Sequence, residues 1–111
     1  MAQTFKQLGQ ARVASTNAVS VYSPPASTTT IIKTIVLANT SGADATYRLF
    51  CDDDGTTYSE VTALAWDVLI PADTVIQIDA SYNMNDSSGN FAYRSSVASA
   101  ITITLFGLEI T

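Results

Sequence analysis

Turn signals recur about every 8–12 residues along this chain, and short β-branched runs lie between them. The breaks are Ser23-Pro24-Pro25-Ala26-Ser27, Thr40-Ser41-Gly42-Ala43-Asp44, Asp52-Asp53-Asp54-Gly55-Thr56-Thr57, Pro71-Ala72-Asp73 and the polar stretch 81–90. Each proline lacks a backbone donor, and the Asp-Gly step suits positions of positive φ. The runs read as strands over 17–22, 29–39, 45–51, 60–70, 74–79, 91–95 and 100–110. Thr occurs fifteen times and Ser twelve, while Lys, Glu and Gln are few, so solvent-facing helix surface has little to be built from. The expectation is an all-β chain of seven or eight strands, an antiparallel β-sandwich, jelly-roll-like or immunoglobulin-like, with a closed barrel as the alternative.

Periodicity assigns faces. Tyr47, Leu49 and Cys51 alternate with Thr46, Arg48 and Phe50. Ile31, Ile32, Ile35, Val36 and Leu37 occupy both phases of their run, as in a strand covered on both faces. Thr62, Leu64, Trp66, Val68 and Ile70 share one phase, which places Trp66 in the core. Ile76 and Ile78 face inward, Gln77 and Asp79 outward; Ile101, Ile103 and Leu105 oppose Thr102 and Thr104, and Gly107 marks a bulge or a close backbone approach. Residues 1–16 carry only scattered apolar anchors, Phe5, Leu8 and Val13. They read as an extended N-terminal arm, frayed or docked on another subunit, ahead of a sandwich domain over 17–111.

Composition narrows the function. The 111 residues make one domain. There is no His, hence neither the commonest general base nor the commonest metal ligand. The single Cys51 excludes an intrachain disulfide and reads as a small buried apolar residue. Ten acidic against five basic residues give a net charge of −5, a poor match to nucleic acid. No apolar run reaches the roughly 20 residues of a membrane span, and the first residues lack the apolar segment of a secretory signal. A structural or binding role is expected, without enzyme activity or cofactor.

The constellations that carry chemistry elsewhere are thin. Asp52-Asp53-Asp54 with Glu60 is the one candidate calcium site, but its spacing departs from an EF-hand loop and it reads as a solvated hairpin turn. Asp67 and Asp79 are the conceivable acid–base pair, each alternating with apolar neighbours on a strand and so facing solvent or an interface. Lys33 reads as a strand-face charge rather than a catalytic amine. Tyr58, Tyr82 and Tyr93 fall in or near loops and suit sugar stacking or a protein interface. Phe5, Leu8, Arg12, Arg48 and Arg94 are the candidate subunit or capsid interface residues, Arg48 and Arg94 by pairing with acids across it.

Four stretches carry a resemblance: Ala2-Gln3-Thr4-Phe5-Lys6-Gln7-Leu8-Gly9-Gln10; Pro25-Ala26 with Ile31 through Gly42 and Ala45 through Leu49; Asp53 through Tyr58 with Ala63 through Thr74; and Phe106-Gly107-Leu108-Glu109-Ile110-Thr111. In these the chain resembles small virion structural proteins of tailed bacteriophages and cyanophages, most weakly over 81–99. The resemblance implies a β-rich protein present in many copies on a virion assembled in the host cytoplasm. The small size fits a head decoration or cement protein, a homotrimer bound to the major capsid protein on the outer shell. A tail, baseplate or fibre component binding host-surface glycan is the alternative. No catalytic or ligand-binding residue carries over.

Overall fold

The computed structural model describes residues 2–111. Eight strands form: β1 (Gln3–Arg12), β2 (Val19–Tyr22), β3 (Thr29–Asn39), β4 (Ala45–Asp52), β5 (Ala63–Ile70), β6 (Thr74–Met84), β7 (Asn90–Ser95) and β8 (Ile101–Ile110). A 3-10 turn, Glu60–Thr62, leads into β5. One sheet, called sheet A, has the order β1-β8-β3-β6 and the second β2-β7-β4-β5, and every neighbouring pair is antiparallel. The chain crosses between sheets after β1, β2, β3, β5, β6 and β7, which is the double-sheet jelly roll of eight strands.

The facing surfaces make one core. Ile32, Ile35 and Leu37 of β3 and Ile101, Ile103 and Leu105 of β8 meet Tyr47 and Leu49 of β4, Ile70 of β5, and Phe91 and Tyr93 of β7. Tyr93 is fully buried, and its hydroxyl is fully used. It accepts from the Val13 amide at 2.8 Å and donates to the Ile101 carbonyl at 3.0 Å, tying the end of β1 to the start of β8.

Sheet A is kinked by extra residues opposite one place on β8. On β1, Gln7 and Gly9 pair with Phe106 and Leu105, leaving Leu8 over; on β3, Ile32 and Thr34 pair with Gly107 and Phe106, leaving Lys33 over. Each bulge shifts the alternation by one residue. The inward set on β3 is therefore Thr30 and Ile32, then Ile35, Leu37 and Asn39. The double-faced apolar run read from the sequence is a single face with a phase slip at Lys33. Gly107 sits where a Cβ would lie 2.1 Å from the Ile31 carbonyl oxygen and 2.9 Å from Leu8 Cδ1, so only glycine fits that approach.

The structure corrects three readings. Over Gln3–Arg12 the expected arm is an edge strand paired with β8 of its own chain, because β8 would otherwise present an unpaired ladder beside it; Met1 lies outside the described residues. The polar stretch 81–90 is strand up to Met84, where β6 continues beside β3 past its own irregularity. Residues 60–62 are the 3-10 turn, with Ser59 capping and Thr62 reaching back to it.

At the far end of the sandwich, four strands share one polar knot. The Tyr22 hydroxyl donates to Glu109 Oε2 at 2.6 Å and accepts from Thr30 Oγ1 at 2.6 Å, while Lys6 Nζ donates to Glu109 Oε1 at 3.1 Å. The bond from Tyr22, with help from Lys6, holds the Glu109 carboxyl below its ordinary 4.5. A carboxyl lowered by folding contributes stability that is present above its unfolded value and lost as pH falls through the folded one. Urea unfolding of the Glu109→Gln variant is accordingly expected to lose less stability than the parent on acidification from about pH 6 to about pH 3; identical slopes would contradict the knot. The Gly107→Ala variant is expected to lose about 2 kcal/mol, or roughly 10 °C in melting temperature, by overpacking against Ile31; an unchanged transition in calorimetry would refute the close approach.

Candidate functional site

The outer face of the second sheet, around β4 and β5, gathers the groups most able to meet a partner. A backbone irregularity puts them there. Tyr47 pairs with Val68 and Leu49 with Ala65, so β5 spends an extra residue opposite Arg48, and Asp67 takes a positive φ of 52°. Asp is among the few side chains that tolerate this region. The alternation slips at that bulge. A second irregularity follows, where Leu49 pairs with Ala65 but Phe50 with Ala63; Leu64 and Trp66 are exposed, Ala63 and Ala65 partly covered, and Ile70 is in the core. Trp66 is 41% exposed, which overturns its reading as a core residue. Phase along one strand cannot reveal an inserted residue.

Trp66 is held firmly although it is exposed. The Arg48 guanidinium lies 3.6 Å from its ring centroid, within cation–π range. Arg48 in turn grips Asp67 with two bonds, Nε to Oδ1 at 2.6 Å and Nη2 to Oδ2 at 3.0 Å. Arg94 approaches Asp67 Oδ1 at 3.8 Å and donates to the Thr16 carbonyl at 3.0 Å. The bond from Arg48 lowers the Asp67 carboxyl below its usual range, and the bond to Asp67 raises the guanidinium further. Beneath the indole, Phe50 makes an edge contact at 6.2 Å and also packs on Tyr58 at 6.1 Å. Phe50 belongs to the outward phase of β4, yet is buried because these two rings roof it. A shallow hollow of about 250 Å³ opens beside Trp66, walled by Glu60 and Ala63. Val61, 88% exposed, lies in the turn before β5, and Leu64 and Leu69 are further exposed aliphatic residues of β5 itself.

The other sequence candidates fall elsewhere. Tyr93 is a core residue, so its reading as a loop aromatic fails: β7 is the inner neighbour of β4 and points this ring between the sheets. Tyr82 is part of extended β6, half-buried and 6.4 Å from Phe91, hence not a loop aromatic either. Tyr58 alone of the three joins the outer aromatic cluster. Asp67 and Asp79 lie on different sheets, Asp67 within the arginine pair and Asp79 beside Thr34 and Gln77, so they do not flank one cleft. In the acidic turn, Asp52 accepts from the Thr57 amide at 2.8 Å and the Asp54 amide at 3.3 Å, which lowers its carboxyl; crowding by Asp53 raises that of Asp54. Those bonds make Asp52 an organiser of the hairpin turn. Cys51 is half-buried against the core, and burial raises its thiol.

Phe5, Leu8 and Arg12 belong to β1. Leu8 packs on the core, Arg12 bonds to Thr40 Oγ1 and the Ser99 carbonyl, and Phe5 is 75% exposed. Phe5 and Phe106, with Lys6 and Lys33, border a second hollow of about 460 Å³ over the bulged row of sheet A.

No family model matches the chain, and no curated protein does. Among solved structures, the chain is similar to one in a structure of infectious bursal disease virus, Gx strain, at 15% identity and a TM-score of 0.47. The match covers 96% of this chain and 29% of the viral one, so this chain spans less than a third of that neighbour's length. It is a likeness of overall shape.

Trp66 is the chain's one tryptophan, so its fluorescence reports directly on the outer face. Replacing Arg48 with Ala is expected to free the indole, with acrylamide quenching rising about two-fold while the fold persists. Unchanged quenching would mean that Arg48 does not restrain it.

Proposed function

We propose that this chain is a virion structural protein, of the decoration or cement kind, which docks on its neighbours through the β4–β5 face. The observation that carries this reading is the run of exposed apolar residues Val61, Leu64, Trp66 and Leu69 along the 3-10 turn and the edge strand β5, in a domain without a buried side-chain polar atom left unpartnered among the described residues. An exposed tryptophan braced by an arginine, on a strand with further exposed aliphatic residues, has the make-up of a binding hot spot. Arg48 and Asp67 beside it neutralise each other, so that pair can be covered together, and Arg94 leaves one positive charge for an acid of the partner. The sequence resemblance to small phage virion proteins supports the same role. On this reading the chain is a homotrimer seated on the major capsid protein, in the assembled particle, and acts by contact rather than catalysis. Many copies on one lattice turn a modest single contact into firm attachment.

A second reading rests on the hollow beside Trp66. A fixed indole next to the Glu60 carboxylate suits a sugar ring, which fits a tail, baseplate or fibre component that binds host-surface glycan.

Quantitative mass spectrometry of purified virions decides between them. A copy number comparable to the major shell protein supports decoration. A small number set by tail symmetry supports the glycan reading, and absence from particles refutes both. For the decoration reading, Trp66→Ala is expected to weaken particle binding at least ten-fold in a co-sedimentation assay while leaving a folded domain.

A further inference from the structure

Strand β1 consists of two halves joined at the Leu8 bulge. Beyond it the strand is locked. Gln10 Nε2 bonds to Thr104 Oγ1 at 3.0 Å, Arg12 bonds to Thr40 and Ser99, and the Val13 amide is bound by the buried Tyr93 hydroxyl. Gly9 lies so close to β2 that a Cβ there would sit 2.5 Å from the Val21 carbonyl oxygen. Before the bulge, Gln3–Gln7 are exposed throughout and bury no side chain. Their hold on the domain is the ladder to β8, the Ala2–Thr111 backbone pair, and the Lys6–Glu109 bond. Such a segment opens locally while the domain stays folded.

Opening leaves an acceptor of defined chemistry. The edge of β8 from Phe106 to Ile110 is then unpaired, and Glu109 beside it has lost its cation. The segment that restores both is one with a lysine at the register of Gly107 and a bulge opposite Phe106, which is the Gln3–Gln7 tail of another copy. The bonds made across two molecules are the bonds given up within one, so exchange costs only association and the hinge.

We infer that the Gln3–Gln7 half of β1 is an exchangeable strand, pairing with β8 of a second copy of this chain by turning at the Leu8–Gly9 bulge. Reciprocal exchange closes a dimer, and exchange passed round a ring closes a trimer. This goes beyond the docking role assigned to the β4–β5 face, and it is tested on purified protein alone, so its failure leaves that role standing.

Gln3 and Ile110 are direct partners on adjacent antiparallel strands, and Cα atoms of such pairs lie about 4.5–5.5 Å apart, within disulfide range. Two single-cysteine variants, Gln3→Cys and Ile110→Cys, each in a Cys51→Ala background, are mixed at about 100 µM and oxidised. Non-reducing electrophoresis is expected to show the mixed disulfide at least five-fold above a collision control that pairs Ile110→Cys with Gly42→Cys, whose open position lies in the turn after β3 at the opposite end of the sandwich. Adding Lys6→Glu to the Gln3→Cys partner is expected to bring the yield down to that control, because its tail then opposes Glu109. A mixed yield no greater than the control, or one that Lys6→Glu leaves unchanged, overturns the inference.

Discussion

The close approach at Gly107 governs sheet A. Strand β8 lies between β1 and β3, and both neighbours carry an extra residue beside it, Leu8 on one side and Lys33 on the other. The missing side chain at Gly107 lets the Ile31 carbonyl and Leu8 close over the strand. From that follow the slip in the alternation of β3, the hollow edged by Phe5 and Phe106, and the division of β1 into a locked half and a loose one. A methyl group at this one position would disturb three strands together.

The second sheet uses the same device for another end. There the extra residue is Asp67, and the slip turns Trp66 to the surface. The positive φ carries a cost, since this region is sparsely occupied by residues other than glycine. Asp67 offsets it through Arg48, and Arg48 in turn covers the indole. Backbone strain, ion pair and aromatic face thus form one unit.

Much of the fold was legible in the residues. Proline and Asp-Gly punctuation located the turns, and alternation assigned the inward faces of β4, of β6 through Ile78, and of β8 through Leu105. The bulges were not legible, because an inserted residue changes phase without changing composition. Trp66 and the double-faced reading of β3 were lost for that one reason. Tyr93 and Tyr82 were misplaced because polar neighbours in sequence do not report how far a strand continues into a sheet. Of the candidate site, Tyr58, Arg48 and Arg94 were in view, but their meeting with Trp66 depends on pairing between β4 and β5 that no local pattern encodes.

The first and last strands of this jelly roll are ladder partners, and the last is also flanked by the third. As the chain is made, β8 emerges after the seven other strands, including β1 and β3, which pair with it. Until it does, β1 and β3 have no neighbour between them, and the core wall of Ile101, Ile103 and Leu105 is missing. Sheet A therefore cannot close progressively during synthesis, and its completion is a single late event that waits for the final strand.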